Sequence, residues 1–458
     1  MTLVCPLYKP NAMGADAGDG APKRRIPLLI GFGQPYCLCV TTHRGRKYMH
    51  ESGEQIHRQA AAQSFDVCVA GAGLAGLTAA LALARQGYTV AAIAPAATRP
   101  DLRTTALFAA SVDYLGNLGV WESVAQGAAR LAGIRLIDAT DRLFRAPQVD
   151  FDATEIGLDA FGYNVSNQTL TTALRDAAAA TGNVNFIEGS VADARFGAQG
   201  ATLVLSDGME IDCRLAVAAD GRNSVLRAVS GIGEHKWKYP QTALVLDFEH
   251  DFSHNDVSTE FHTPAGPFAV VPLGERQSSL VWVARPERAE ALAALPVEEL
   301  ERAVEQRMQS MLGKVRIISK VQTWPLSGMT ARQYGKGPLV LVGEAAHVFP
   351  PIGAQGFNLG IRDVELVDKL ARETGRDGLA KMGERYHLRR VPDIGARTAS
   401  VDLLNRTLLS AFLPVQIARG VALHAFTGIG PLRRMLMREG VAPGSQLRHL
   451  MDRMLPAR

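Results

Sequence analysis

The residue types best suited to chemistry lie together in one stretch, residues 343–363, which reads GEAAHVFPPIGAQGFNLGIRD. Gly343 lets the backbone come close to a ligand at the end of an apolar strand, where Glu344 can offer a carboxylate to hydroxyl groups. Gly353 and Gly356 permit backbone angles that a Cβ would block. The helix expected after this turn points free N–H groups and a partial positive charge back at it. The stretch therefore predicts a site for a group that carries or develops negative charge.

A second turn, Gly71-Ala-Gly73-Leu-Ala-Gly76, has the spacing of a pyrophosphate-binding loop. An apolar strand precedes it, leucines at helical spacing follow, and a second strand over 89–94 completes a βαβ unit. The glycines allow the close approach of phosphates, which the helix N-terminus neutralises. This context favours dinucleotide binding over a simple strand-helix turn. The second strand, however, ends in Ala94-Pro95, where an acidic residue is expected to bind the adenosine ribose.

Three other polar positions are weaker candidates. Asp220-Gly221 follows a buried strand, where open α/β sheets bind ligands, but taken alone a simple turn with Ser224 capping the next helix is favoured. Arg103 suits a pyrophosphate as well as it suits a solvated loop. His347 invites a catalytic role, yet the alanines before it and the prolines after it favour an orienting role.

The elements that must position these turns follow from the apolar patterns. Short β-branched runs predict buried strands before each turn, and residues 104–136 are predicted to be mostly helical. Residues 240–330 change to strand patterns separated by turns, which predicts a β-rich second domain. An apolar stripe in this region either covers a ligand or is core, and both interpretations stand for its members Phe268, Val270, Pro272, Val281 and Trp282.

Composition narrows the class of protein. The chain has 458 residues, of which 47% are hydrophobic and 21% charged, with a formal net charge of +4. These values are typical of a globular protein of two or three domains, and the small basic excess argues against a nucleic-acid partner. Five cysteines fit neither a disulfide framework nor a zinc site, so reduced thiols and no metal are expected. Since no apolar run reaches about eighteen residues, no membrane span is predicted.

The motifs GAGLAG, ADGRNSVLR and GEAAHVFPPIGAQGFN, in this order, resemble those of the group A flavoprotein monooxygenases, the para-hydroxybenzoate hydroxylase fold. The resemblance covers about residues 64–400. Within that group the chain looks most like the ubiquinone-biosynthesis hydroxylases, because of Gly266-Pro-Phe-Ala-Val-Val-Pro-Leu, the ending Asn358-Leu-Gly-Ile-Arg-Asp363 and an Arg/Met-rich tail.

The resemblance implies an extended FAD, with the pyrophosphate near the first turn and Arg103, the adenine near Val191 and the flavin ring at the long turn. The implied cofactor-binding residues are Gly71, Gly73, Ala75, Gly76, Arg103, Val191, Asp220, Gly221, Gly343, Glu344, Pro351, Gly353, Gly356, Phe357 and Asn358. The chain departs from the family pattern at four places, which are Ala94 or Pro95 for an acid, Gln168 for Arg, Glu344 for the commoner Asp, and Ala354 for Gly.

The implied fold is α/β, with a Rossmann-like FAD-binding domain containing a mixed sheet, a second β-rich substrate domain and a helical C-terminus. The expected domains are a disordered leader (1–62), the FAD-binding domain in three parts (63–165, 166–234 and 331–400), the β-rich substrate domain (235–330) and a helical tail (401–458). Met1, Met13 or Met49 could be the start of the chain.

The implied function is hydroxylation of the aromatic ring of a polyprenylated ubiquinone precursor with O₂ and NAD(P)H or another electron donor. No catalytic residue can be named. The alternatives are a hydroxylase or epoxidase of another apolar substrate, and a non-catalytic flavin-binding scaffold subunit. The protein is expected in the cytoplasm, where it would act with a small prenylated phenol and other ubiquinone-biosynthesis proteins.

Basic amphipathic segments at 431–438 and 447–454 suit either a membrane surface on its inner face or a partner. A terminal helix packed on its own domain, with a solvated basic face, is the favoured interpretation.

Overall fold

The computed structural model describes residues 63–96, 101, 103–140, 147–350, 355–409 and 430–441. The predicted leader and the basic segment at 447–454 lie outside the described residues. The first elements are β1 (Gln63–Ala70), α1 (Leu74–Arg85), β2 (Val90–Ala94), β3 (Thr104–Phe108), α2 (Ala109–Asn117), α3 (Trp121–Ala125), β4 (Ala129–Leu131), β5 (Gly133–Asp138), β6 (Val149–Asp152), β7 (Gly162–Ser166), α4 (Asn167–Ala180) and β8 (Val184–Glu188). There follow β9 (Val191–Gly197), β10 (Gly200–Leu205), β11 (Glu210–Ala218), α5 (Val225–Val229), β12 (Glu234–His250), β13 (Val257–Thr263), β14 (Gly266–Gly274) and β15 (Gln277–Ala284). The last are α6 (Pro286–Ala293), α7 (Val297–Arg307), β16 (Val315–Ile317), β17 (Gln322–Ala331), β18 (Gly335–Lys336), β19 (Leu339–Leu341), β20 (His347–Val348), α8 (Gln355–Gly378), α9 (Met382–Leu409) and α10 (Gly430–Val441).

The first sheet is followed at its strand ends by the turns at residues 71–76, 220–221 and 343–363. Its strand order is β18-β19-β11-β1-β2-β8, and β10 and β9 extend it from β11 as an antiparallel pair. β1 pairs in parallel with β2 and β11, and β11 pairs in parallel with β19. Because the carboxyl ends of parallel strands meet at one edge of a sheet, the turns after β1, β11 and β19 come together there.

The second sheet has nine strands in the order β20-β17-β12-β15-β14-β13-β5-β6, with β16 paired to β12. Its strands pair mostly antiparallel, and successive side chains of a strand point to opposite faces of the sheet. One face packs against α6 and α7 through an apolar core that includes Leu244, Leu246, Leu280 and Leu292. The apolar stripe is divided between the faces, because Phe268, Val270 and Trp282 belong to this core whereas Val281 lies on the other face beside Ala243 and Val283.

A third sheet of three short strands, β3-β7-β4, corrects a prediction. Residues 104–136 are not mostly helical, since β3, β4 and most of β5 lie within this range around the short helices α2 and α3. β3 pairs antiparallel with β7 over Thr104–Phe108. The apolar runs of this segment fit strand and helix equally well, and the pairing with a strand some sixty residues later decides between them.

Helices complete the described part of the chain. α8 starts at the long turn of residues 343–363 and is interrupted at Gly375, where φ is 64°. α9 follows, and α10 packs through Met437 on a small cluster with Ala153 and Phe161. None of the described helices is long and apolar enough to cross a bilayer. The predicted α/β class, with its Rossmann-like mixed sheet, β-rich second part and helical C-terminal region, is confirmed.

Candidate cofactor-binding site

The turn between β1 and α1 has the glycines that its geometry requires. Gly71 has φ +107°, and a Cβ there would lie 2.2 Å from the Ala219 carbonyl oxygen. A Cβ on Gly76 would lie 1.9 Å from the Gly71 carbonyl oxygen. These two glycines therefore pack the turn against the end of β11, whereas a Cβ on Gly73 would meet nothing within 4 Å. Gly73 precedes α1 and leaves bare backbone at the helix N-terminus, where a phosphate would be bound.

Asp220 and Gly221 form the turn after β11. One carboxylate oxygen of Asp220 accepts the backbone N–H of Val225 at 2.7 Å. The other, Oδ1, is buried without a hydrogen-bond partner among the described residues. Ser224 accepts the N–H of Arg227 at 3.0 Å, so its predicted capping role is confirmed. Because a buried polar atom without a partner is costly, Asp220 Oδ1 fits a ligand hydroxyl that completes the site.

The turn after β19 brings Glu344 to the same edge. Gly343 has φ +59°, a left-handed conformation that favours glycine, and the side chain of Ala75 lies 3.0 Å from the position of a Cβ there. The Glu344 carboxylate lies 3.5 Å from the Arg222 guanidinium, and both side chains are about half exposed. This pair joins the second and third turns across the open edge of the sheet. Sequence reasoning did not assign Arg222, although it follows Asp220-Gly221 directly.

A cluster of buried charged side chains holds the third turn in place through Asp363. Asp363 of α8 is fully buried; its Oδ2 lies 2.7 Å from His347 Nε2 and accepts the backbone N–H of Gly343 at 2.8 Å. Its Oδ1 lies 2.6 Å from Arg390 of α9. Burial opposes ionisation of Asp363, but the charges of His347 and Arg390 and the two hydrogen bonds hold its pKa below the usual value. These contacts fit the orienting role predicted for His347.

The first turn of α8 is tied to β3. The Asn358 side chain accepts the backbone N–H of Phe108 at 2.9 Å and donates to the Ala106 carbonyl at 2.8 Å. Gly356 is exposed, a Cβ there would meet nothing within 4 Å, and Phe357 packs partly against the main core. The side chain of Asn358 thus joins α8 to β3. The exposed N-terminus of α8 supplies the positive end of the helix dipole. Pro351, Gly353 and Ala354 lie outside the described residues.

Arg103 stands at the start of β3. Its guanidinium makes two hydrogen bonds to the Asp101 carboxylate, of 2.8 and 2.7 Å, and lies 5.5 Å from the ring centroid of Trp324. The nearby negative charge of Glu344 also favours its charged form, with Asp101 the larger influence, and its pKa is raised. The structure therefore places Arg103 between the turn after β19 and the second sheet.

Beside the end of β2, where an acidic residue is expected to bind an adenosine ribose, the structure has one acidic residue that sequence reasoning missed. Ala94, at the end of β2, pairs in register with Glu188 at the end of β8. Val191, which begins β9, lies three residues further along and packs partly against the core. Residues in register on parallel strands point to the same face of the sheet. The carboxylate that is absent at Ala94 is therefore present at Glu188 on the adjacent strand.

Known proteins are similar to this chain in sequence and in fold. The family model for the FAD binding domain matches residues 64–398. A ubiquinone hydroxylase (UbiL) of Rhodospirillum rubrum is 35% identical over 82% of this chain and 89% of its own length. The 3-demethoxyubiquinol 3-hydroxylase of Escherichia coli is 33% identical over 82% of this chain and 98% of its own length. The crystal structure of p-nitrophenol 4-monooxygenase PnpA from Pseudomonas putida superposes with a TM-score of 0.68 at 16% identity, covering 83% of this chain and 98% of that one, which shows a shared fold.

Proposed function

The chain belongs to the family of monooxygenases with this FAD binding domain, and on that premise we propose that it hydroxylates the aromatic ring of a polyprenylated ubiquinone precursor. Its two relatives named above, at 35% and 33% identity, are a ubiquinone hydroxylase and a 3-demethoxyubiquinol 3-hydroxylase. The observation that carries the proposal is that β3 is hydrogen-bonded to the start of α8, beside the third turn, and also contacts the face of the second sheet turned away from α6 and α7. A cofactor ring and an apolar substrate can therefore meet there.

FAD supplies, when bound, the activation of O₂ by electrons taken from NAD(P)H or another donor. The protein's part is to bind the cofactor, orient the substrate and exclude water. We propose that Gly73 and the start of α1 hold the pyrophosphate, that Asp220 Oδ1 and Glu344 bind hydroxyls of the ribityl chain, and that the start of α8 faces the flavin ring. Glu188, beside Ala94, is our candidate for the adenosine ribose. The remaining family positions, which stay proposals, are Gly71, Ala75, Gly76, Arg103, Val191, Gly221, Gly343, Pro351, Gly353, Gly356, Phe357 and Asn358.

The predicted domain boundaries also stay a proposal, in which residues 235–330 form the substrate domain. The second sheet extends beyond this range, because β5, β6 and β20 belong to it. The face turned away from α6 and α7 suits a prenyl chain, since Ala243, Val283 and Leu326 form an apolar cluster there with the partly exposed Val245 and Val281.

A peripheral membrane contact through the C-terminal region is a further part of the proposal. α10 docks on its own chain, since Met437 is buried and Arg433 pairs with Glu155. Its other face exposes Arg434, Met435 and Arg438. Two cations around an exposed methionine suit an anionic lipid surface, from which a prenylated substrate would be taken.

The test of the main proposal is mass spectrometry of quinone intermediates in a strain lacking this gene. We expect loss of ubiquinone and accumulation of a precursor lacking one ring oxygen, both reversed by the wild-type gene. A normal quinone profile would assign the enzyme to another apolar substrate. Restoration of ubiquinone by protein that binds FAD but does not oxidise NAD(P)H in the presence of substrate would indicate a scaffold subunit.

A further inference from the structure

A polar chain crosses the interface between β3 and the second sheet. Asp247 of β12 and Ser279 of β15 are directly paired in register and share the face of the sheet opposite α6 and α7. The Ser279 hydroxyl donates to Asp247 Oδ1. Thr104 of β3 lies beyond, with its Oγ1 3.2 Å from Ser279 Oγ. Three side chains from three strands, two of them in one sheet, thus form a continuous chain of oxygens.

The chemistry of the three side chains determines in which direction their O–H groups donate hydrogen bonds. An ionised carboxylate can only accept hydrogen bonds, so Ser279 must donate its single O–H to Asp247. Ser279 then accepts from Thr104, whose O–H also points toward Asp247. The lone pairs of Thr104 Oγ1 are consequently directed away from Asp247. Ser279 is only 4% exposed, whereas Thr104 is partly exposed, so the outer end of the chain can meet a ligand.

The outer end lies at the proposed flavin-ring half of the site. Thr104 follows Arg103, which interacts with Glu344 and stacks on Trp324. Two residues further along the same strand, the Ala106 carbonyl is held by Asn358 at the start of α8. β3 therefore runs between the turn after β19 and the face of the second sheet opposite α6 and α7, where the proposed substrate would lie.

We propose that Thr104, Ser279 and Asp247 form a proton path that takes the proton from a ring hydroxyl of the substrate. The inference rests on the proposed function, which supplies a phenolic substrate. The substrate O–H gives its proton to Thr104 Oγ1, Thr104 passes its own proton to Ser279, and Ser279 passes its own to Asp247 Oδ1. The products are a phenolate and a neutral Asp247, with no change of oxidation state. A phenolate is the more electron-rich ring and reacts faster with an electrophilic oxygen.

The surroundings of Asp247 suit a proton acceptor. Burial raises its pKa above the usual value, and the Ser279 hydrogen bond only partly offsets this. A base whose pKa approaches the working pH is the most efficient one. Two charged groups close in sequence to the three hydrogen-bonded side chains are paired: Glu249, two residues along β12 from Asp247, with Arg316, and Arg103, next to Thr104, with Asp101. The backbone N–H of Asp247 is satisfied by Ser319 Oγ at 2.7 Å.

The experiment uses 4-nitrophenol bound to the oxidised, FAD-loaded enzyme, because its phenolate absorbs visibly and no turnover is needed. In the wild type we expect a phenolate band that persists below the pH at which free 4-nitrophenol ionises. This band should change little with pH there, since the proton stays within the complex. Asp247→Asn and Ser279→Ala should lose it and follow a single ordinary ionisation. In turnover, the same variants should lower kcat/KM for the prenylated phenol by about a hundredfold near neutral pH and recover toward high pH.

The matched control is Ser278→Ala, which removes a hydroxyl from the same strand on the opposite face, where it lies 3.0 Å from His250 Nε2. It should retain the phenolate band. FAD content and melting temperature establish that each variant is folded, and Ser279→Ala serves if Asp247→Asn does not fold. An unchanged band in both variants, or no phenolate band in the wild type, overturns the proton path. Failure of the proposed function would instead appear as absent hydroxylation of prenylated phenols by a wild type that still shows the band.

Discussion

Two glycines of the first turn differ in what an added side chain would contact. This difference allows the role of the turn in folding to be tested separately from its proposed role in cofactor binding. A Cβ on Gly76 would collide with the Gly71 carbonyl oxygen at 1.9 Å, whereas one on Gly73 would enter open space. Gly73 has φ −76°, which alanine adopts without strain. The space beside Gly73 is therefore open, and in our proposal the pyrophosphate of FAD occupies it.

Gly73→Ala should consequently leave the unfolding free energy of the apoprotein unchanged and weaken FAD binding by about tenfold or more, or about 1.4 kcal/mol. Gly76→Ala should lower the unfolding free energy by roughly 1–3 kcal/mol, because the clash with a backbone atom outweighs the helix propensity gained. Urea denaturation of apoprotein and fluorescence titration with FAD measure the two effects. Unchanged FAD affinity in Gly73→Ala would refute this role for the turn.

Asp363 ties the third turn to two helices, and its ionisation should be visible in the stability of the protein. Because its pKa in the folded state is lowered, its ionised form contributes stability above the unfolded pKa of about 3.9. This contribution is lost as the pH falls through the lowered folded pKa. Asp363→Asn should therefore cost about 3 kcal/mol at neutral pH, since it leaves Arg390 with less compensation for its buried charge.

Urea denaturation at several pH values measures this contribution. The difference between wild type and Asp363→Asn should be constant above about pH 4 and shrink in acid. Glu210→Gln is the matched control, because its partner Arg195 is exposed, and it should change the unfolding free energy little. A difference that does not depend on pH would show that Asp363 acts without its charge.

At the scale of elements, the two faces of the second sheet differ: one packs against α6 and α7, and the other is the proposed substrate surface. Leu280 is fully buried against the α6–α7 side, and Val281, the next residue of β15, is only partly buried on the side of Asp247 and Ser279. Leu280→Ala should lower the unfolding free energy by about 2–5 kcal/mol and leave KM unchanged. Val281→Phe should raise KM for the prenylated phenol severalfold and leave FAD affinity unchanged. Steady-state kinetics and urea denaturation give both results, and equal effects of the two variants on KM would contradict the division.

The helices, strands and turns also differ in how far the sequence predicts them. The βαβ unit and the turns at residues 71–76 and 343–363 were predictable, because glycine spacing and strand context are local signals. The apolar pattern predicts helix where the structure has β3, because the pairing of β3 with β7 joins segments distant in the sequence. The Asp247–Ser279 pair and the contact between Ala94 and Glu188 were missed for the same reason. Their positions become meaningful only once strand order and register are known.

At the scale of the whole molecule, the proposed FAD site is assembled from segments far apart in the chain. The turns after β1, β11 and β19 meet because their strands are adjacent in one parallel arrangement. β3 then links this edge to the second sheet through Asn358 on one side and Ser279 on the other. The proposed cofactor and substrate surfaces thus share one strand, β3.

The exposed face of α10 gives the molecule a candidate orientation toward a membrane. Reversing two cations near an anionic surface removes about 1 kcal/mol of attraction for each and adds repulsion. Arg434→Glu with Arg438→Glu should therefore lower binding to vesicles containing an anionic lipid by tenfold or more. The control is Arg288→Glu with Arg302→Glu, an equal change of charge on exposed residues of α6 and α7. Vesicle co-sedimentation measures both, and the hydroxylation rate with a water-soluble phenol should be unaffected. Equal losses in the two double variants would show a response to net charge alone, and α10 would then be a helix that packs on its own domain with a solvated basic face.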